Sequence, residues 1–309
     1  MKPYQRLVVV FSPNSTRAKI YNKLRPNITD YSLTLDVGIT EIRLKNTPYF
    51  EARKTIADSL VDGDLVVACG GDGTAQVTFD AIYCSGTKAT FAVIPLGNSN
   101  DLSLALNGKH TNPHTILRQS AAVLRPINLY ADGERQFSIA SYVTFGATTV
   151  LVDYLNQKVG RTRRRIFKRL TPALSLPLSK MSEISHKVNN LEFPDFERDH
   201  NIMQDDSIGF FNINAAHNVL RLSKRVIFAE TEFFFHHAMT KNKNLAKKII
   251  MAGLWTINFP GEFSSLETLN FRQPVELIAN VAGDNINIGT TKKIAALRSE
   301  RGIQVLTSQ

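Results

Sequence analysis

The 309-residue sequence predicts an α/β protein in two parts, a parallel α/β domain followed by a mainly β domain. Three observations carry this reading. Apolar, β-branched runs alternate with helical patterns as far as residue 126, which is the signature of a parallel sheet. One of those runs leads straight into a glycine-rich loop, and the pattern turns helical behind it. Beyond Pro126 the helical spacing gives way to strand-type segments separated by polar turns. The length also exceeds what one hydrophobic core comfortably fills.

The elements follow in order. Arg6 to Phe11 is a short apolar strand, and Ser12-Pro13-Asn14-Ser15 supplies turn residues behind it. Ser32 to Val37 alternates apolar and polar residues and predicts a second strand. Tyr49 to Leu60 places Phe50, Ile56 and Leu60 at helical spacing. Asp64 to Cys69 reads as a buried strand, Ala75 to Ala81 as a helix, and Thr90 to Ile94 as a strand stopped by Pro95. After Pro126, strand-type segments fall at Phe137 to Phe145, Ile208 to Ile213, Val226 to Ala229 and Val275 to Ala279.

The chain holds 37 basic and 27 acidic residues, a net charge of +10, which favours an anionic partner. Its two cysteines, Cys69 and Cys84, have no metal-type spacing and are too few for a disulfide framework. A reducing cytoplasm is the expected setting. No signal-peptide pattern is visible, and no stretch approaches the ~20 apolar residues of a membrane helix. Any lipid is then reached from one side of the bilayer.

The most informative string is Gly70-Gly71-Asp72-Gly73-Thr74, set between a strand and a helix. Its glycines let backbone approach a ligand closely. A helix starting there points free N–H groups and the positive end of its dipole outward, which suits a phosphate. Asp72 suits a Mg²⁺ ion beside a phosphate chain. The Thr74 hydroxyl suits a phosphate oxygen or a helix cap. The plain alternative is a tight turn whose aspartate caps the helix. A second loop, Pro95-Leu96-Gly97-Asn98-Ser99-Asn100-Asp101-Leu102, repeats the arrangement after the next strand. Neighbouring loops at the carboxyl ends of parallel strands share one crevice. Asp101 would there meet Asp72 at a Mg²⁺ site, unless Asn100 or Asp101 only caps a helix running to Leu106.

These two loops resemble the diacylglycerol kinase catalytic domain shared by soluble bacterial lipid kinases and sphingosine kinases. Ile94 to Leu106 is similar to that family's "PLGTGNDFAR" segment. NAD kinases share the first loop but typically lack the second. The resemblance implies a Rossmann-like nucleotide-binding domain over residues 1–126, joined by a returning segment 295–309, and a β-sandwich lipid-substrate domain over 127–294. It implies an ATP- and Mg²⁺-dependent lipid kinase acting on a diacylglycerol-like hydroxyl. Gly70, Gly71, Asp72, Gly73, Thr74, Gly97, Asn98 and Asn100 would then hold ATP, and Asp72 and Asp101 the metal. The family's "NPxSG" is matched by Ser12-Pro13-Asn14-Ser15-Thr16, which brings Asn14, Ser15 and Thr16 to the nucleotide. The "DGE" that supplies the family's general base is matched by Ala282-Gly283-Asp284, so Asp284 stands as the base and its companion carboxylate is lost at Ala282. A family aspartate becomes Asn128, and an expected acidic loop becomes Ala215 to Lys224, which carries no acid. These departures keep two further readings open, a catalytically degenerate nucleotide- or membrane-binding relative and an NAD kinase.

The stretch Lys158 to Arg169 gathers Arg161, Arg163, Arg164, Arg165, Lys168 and Arg169 with no acid among them. It suits an anionic membrane surface, where each cation contributes ~1 kcal/mol, and so a peripheral association. No nucleic-acid motif accompanies the charge, which makes nucleic acid the weaker partner. Oligomeric state is not readable, and a homodimer is compatible. His236-His237 alternates across a strand, and Pro113 separates His110 from His114, so neither pair suits a metal.

Overall fold

The computed structural model describes residues 3–97, 100–150, 186–187, 189–205, 207–212, 232–238 and 261–308. The chain divides into two compact units. One comprises Met1–Pro126, Ser138–Ala140 and Ser299–Gln309, and the other Ile127–Phe137 and Ser141–Arg298.

The first unit is a six-stranded sheet with helices. Its strands are β1 (Arg6–Phe11), β2 (Gly38–Arg43), β3 (Asp64–Gly70), β4 (Thr90–Pro95), β5 (Ser120–Leu124) and the C-terminal β16 (Ile303–Thr307). Its helices are α1 (Ala18–Leu35), α2 (Tyr49–Ser59), α3 (Asp72–Ser85), α4 (Asp101–Asn107) and α5 (Pro113–Leu117). The strand order is β2-β1-β3-β4-β16-β5, parallel except where β5 joins β16. The central strands read as continuous apolar runs because both faces are covered. On one face Leu7, Val9, Leu65, Val67, Ala92 and Ile94 pack with Tyr21, Ile28 and Tyr31 of α1 and Ile116 and Leu117 of α5. The start of β3 is pinned by buried Asp64, whose carboxylate accepts from Arg6 Nε at 3.1 Å and Nη2 at 2.7 Å and from the Val61 amide at 3.0 Å.

The segment Ser32 to Val37 is not a strand. α1 runs through Leu35, Asp36 closes it in the left-handed region at φ 53°, and β2 begins only at Gly38. The buried residues Tyr21, Ile28, Tyr31 and Ser32 keep helical spacing, and that wins over the short alternation at its end. Pro26 lies inside α1 and masks the helix in the sequence.

The second unit is antiparallel. Its described strands are β6 (Ile127–Ala131), β7 (Glu134–Ile139, whose last two residues belong to the first unit), β8 (Tyr142–Gly146), β9 (Phe196–Arg198), β10 (Asn201–Met203), β11 (Ser207–Phe211), β12 (Phe233–Ala238), β13 (Gly261–Ser264), β14 (Leu266–Val281) and β15 (Asp284–Arg298). They form one sheet in the order β13-β12-β11-β8-β14-β15-β6-β7, with β9 joining β14 and β10. Phe137 to Phe145 is two strands rather than one, broken at Ala140 and Ser141. Residues 295–298 lie in β15, and the return to the first unit begins at Ser299. The core is aromatic: Phe210 lies between Phe145, Phe233 and Phe235, with ring centroids 5.3–6.5 Å away. Among the described residues no helix is long and apolar enough to cross a membrane.

Asn98, Ser99, Lys158 to Arg169, Ala215 to Lys224 and Val226 to Ala229 lie outside the described residues.

Candidate active site

Strand order places the crevice. β1 connects outward to β2 on one side, while β3 and β4 lie on the other, so the direction of winding reverses between β1 and β3. Ligands of open α/β sheets bind outside the strand carboxyl ends at such a point. The loops that follow β1, β3 and β4 meet there and are stitched by backbone bonds. The Ser12 amide donates to the Cys69 carbonyl at 3.2 Å, the Leu96 amide to the Gly70 carbonyl at 2.7 Å, and the Arg17 amide to the Leu96 carbonyl at 2.9 Å.

The glycines are required by space. Gly71 is the N-cap of α3 with φ −89°, which any residue adopts. A Cβ on Gly97 would lie 2.5 Å from the Gly71 Cα and 2.9 Å from Asn100 Oδ1, and a Cβ on Gly70 would overlap the Thr74 side chain. The two loops therefore touch backbone to backbone, and a side chain at Gly97 would push them apart. Gly71, the N-cap residue, brings no side chain to the N-terminus of α3, where first-turn amides suit an anion.

Asp72 ties the second loop to the first. Its Oδ2 accepts the Asn100 amide at 2.8 Å and its Oδ1 the Leu102 amide at 3.2 Å. It thus caps α4 from another element. Asn100 stands in the left-handed region at φ 57°, which asparagine tolerates better than most residues. Its carboxamide closes the turn, accepting the Gly97 amide at 2.7 Å and donating to the Gly97 carbonyl at 3.1 Å. Asp101 opens α4 beside this arrangement. Burial pushes the Asp72 carboxyl up, opposed by the amides it accepts. Burial, and then the charge of Asp72, push the Asp101 carboxyl well above the usual carboxylate range.

Asn14 donates from Nδ2 to Asn46 Oδ1 at 2.7 Å, which joins the loop after β1 to the loop after β2. Ser15 and Thr16 lie in the turn closed by the Ala18 amide on the Ser15 carbonyl at 2.9 Å. Thr74 lies in the first turn of α3.

Two residues absent from the sequence reading lie further along α3. Gln76 and Asp80 are fully buried. The Gln76 carboxamide pairs like a peptide group, donating to the Ser138 carbonyl and accepting the Ala140 amide, each at 2.9 Å. Asp80 accepts from the Ser138 amide at 2.9 Å, Tyr49 Oη at 3.1 Å and Arg53 Nη1 at 3.2 Å. Burial raises its carboxyl in spite of Arg53. The signal was there in the sequence: two strongly polar residues, four apart, in an otherwise apolar helix.

In the second unit Ala282 and Gly283 form the two-residue turn of the β14–β15 hairpin, at φ 51° and 95°. Asp284 is the first residue of β15, opposite Val281, rather than part of the turn. It is exposed, yet the surrounding protein desolvates it enough to raise its carboxyl. Asn128 is buried in β6.

Among the described residues no group of three or more His, Cys, Asp or Glu side chains could hold a metal. Mg²⁺ does not need one, since it is commonly bound by one or two carboxylates together with substrate phosphates. The half-buried Asp72 and Asp101, the charge of the first acting on the second, fit that mode.

The chain is similar to known proteins. The diacylglycerol kinase catalytic domain matches residues 6–130. A "Probable lipid kinase YegS-like" protein of Pseudomonas putida KT2440 is 30% identical over 149 residues, 47% of each chain. A protein of the same description from Pseudomonas aeruginosa UCBPP-PA14 is 28% identical over 150 residues, 48% of this chain and 46% of its own. The match thus spans about half the length of these relatives. A solved diacylglycerol kinase from Bacillus anthracis Sterne superposes with a TM-score of 0.61 at 11% identity, covering 100% of this chain and 98% of its own. A further structure from that organism gives 0.64 at 12% identity over 100% and 99%. At such identities the likeness shows the fold alone.

Proposed function

We propose that the protein, whose residues 6–130 match the diacylglycerol kinase catalytic domain, transfers the γ-phosphate of ATP to a hydroxyl of a diacylglycerol-like lipid. The observation that carries the reading is the backbone contact of Gly71 with Gly97 at the N-terminus of α3, whose N-cap is that glycine. It holds the two loops side by side, and the amides at such a helix end suit a phosphate chain.

Phosphoryl transfer is largely positioning and charge neutralisation. The amides of Gly71 to Thr74 orient the phosphates, with the β1 loop at Asn14, Ser15 and Thr16 and the second loop around Gly97 closing on the nucleotide. Asp72 has both carboxylate oxygens engaged by amides, so its work is to hold the second loop in register. Asp101 is the carboxylate through which Mg²⁺ would be held, and the ion would offset the charge of Asp72 that acts on it. Bound Mg²⁺ would neutralise charge on the phosphates. Asp284 accepts the proton of the attacking hydroxyl, a role that needs it ionised. Its raised pKa makes turnover fall on acidification at a higher pH than an ordinary carboxylate of ~3.9 would give. The basic stretch Lys158 to Arg169 brings the enzyme to an anionic bilayer.

The test is transfer of label from [γ-³²P]ATP to a total lipid extract. Label in a lipid product, abolished by Asp72→Ala and by Asp284→Asn, supports the kinase. ATP binding without transfer across a broad lipid panel refutes it and favours a binding protein, the reading to which Ala282 lends weight.

A further inference from the structure

We infer that Asn285 is a positioning residue: its carboxamide, held between the Asn280 side chain and the Thr149 carbonyl, fixes the hairpin tip that presents Asp284. The inference rests on the reading of Asp284 as the general base.

The turn itself is weakly specified. Both of its residues have positive φ, and Ala282 has no polar side chain of the kind with which asparagine or aspartate secures such a turn. Its order is supplied from outside. The Ala282 amide donates to the Tyr142 carbonyl at 3.3 Å, and Asn280 and Val281 pair with Thr144 and Val143 of β8. Side-chain bonds complete the bracing. Asn280, 1% exposed, donates from Nδ2 to Asn285 Oδ1 at 2.8 Å. Asn285 donates in turn from Nδ2 to the carbonyl of buried Thr149 at 3.0 Å. Thr149 lies in the helical segment 147–150 that follows β8.

Register explains why this clamp concerns Asp284. Asn280 and Asn285 are directly opposite, and so are Val281 and Asp284. Successive residues of a strand point to opposite faces. The asparagine pair is therefore tied down on one face and directs the Asp284 side chain to the other. β14 and β15, of 16 and 15 residues, are already paired over Leu266–Asn270 and Val275–Val281 with two register shifts. The two bonds of Asn285 lie at the far end of that ladder, so their loss frees the tip without opening the sheet.

The experiment is steady-state kinetics of lipid phosphorylation by Asn285→Ala and Asn285→Ser, with Asp284→Asn alongside and folding checked by circular dichroism. A misplacement of about 1 Å costs ~100-fold in rate, and here kcat is expected to drop at least ~10-fold while KM for ATP stays within about twofold. A merely structural role would lower Tm and leave kcat per folded molecule unchanged, which overturns the inference. Failure of both variants to fold overturns it as well, because the clamp is then global. If Asp284→Asn keeps its turnover, the base assignment falls and takes this inference with it. If Asp284→Asn is inactive but Asn285→Ala has normal kcat, only the clamp is refuted.

Discussion

Asp72 and Asp101 are drawn into one crevice, yet their surroundings give them different work. Asp72 is engaged by two amides, whereas Asp101 carries the cost of burial and of its neighbour's charge. For Asp101 the folded-state pKa lies above the unfolded one. The stabilisation this represents is fully present below the unfolded value of ~3.9 and is lost as pH rises through the folded value. Above the folded value the ionised group works against folding. Asp101→Asn is expected to raise the Tm of the nucleotide-free protein more at alkaline than at acidic pH, while turnover collapses. Differential scanning calorimetry across that range checks this, and a lower Tm at its alkaline end contradicts it. The identity of both residues was legible, because a glycine loop between strand and helix has a local signature. The cap that Asp72 places on α4 was not, since its partners are 28 and 30 residues away in the chain.

Elements depend on one another through a few close approaches. The β3 and β4 loops meet at Gly71 and Gly97, where a new Cβ would press on backbone rather than on a yielding side chain. Gly97→Ala is expected to cost ~1–3 kcal/mol of stability and to weaken nucleotide binding, as read by urea unfolding and by calorimetric titration. α3 is anchored by Asp80, and Asp80→Ala leaves Arg53, Tyr49 and the Ser138 amide without that partner. Arg53, with its side chain 22% exposed, can reach water, so the expected loss is about 2–3 kcal/mol rather than the larger cost of a fully buried pair. Urea unfolding of that variant measures it. β1, β3 and β4 were readable because burial on both faces writes itself as uninterrupted apolar runs, whereas β2 and β5 are largely exposed or half-buried and carry no such run. α1 was not readable, because Pro26 interrupts its pattern and its last turn mimics alternation. Nor could local pattern divide β7 from β8, since both lie in one apolar run.

At the scale of the whole molecule, the chain returns to its start. β16 lies between β4 and β5 in the first sheet, and Thr307 Oγ1 donates to the Leu106 carbonyl at 2.7 Å. Removal of residues 299–309 would leave β5 without its ladder partner and β4 with an open edge. Such a truncation is expected to abolish the cooperative unfolding transition, followed by circular dichroism. The return strand is five residues long, too short to declare its distant partners from sequence, whereas the change from α/β to antiparallel β near Pro126 was plain in the spacing of apolar residues. The most direct test of the account is isothermal titration of the intact, folded protein with Mg·ADP, the ligand proposed for the glycine loops and the N-terminus of α3. Saturable binding at a stoichiometry of one, weakened at least ~10-fold, or by about 1.4 kcal/mol, in Gly97→Ala is the predicted result. An absence of binding up to millimolar ligand would contradict it.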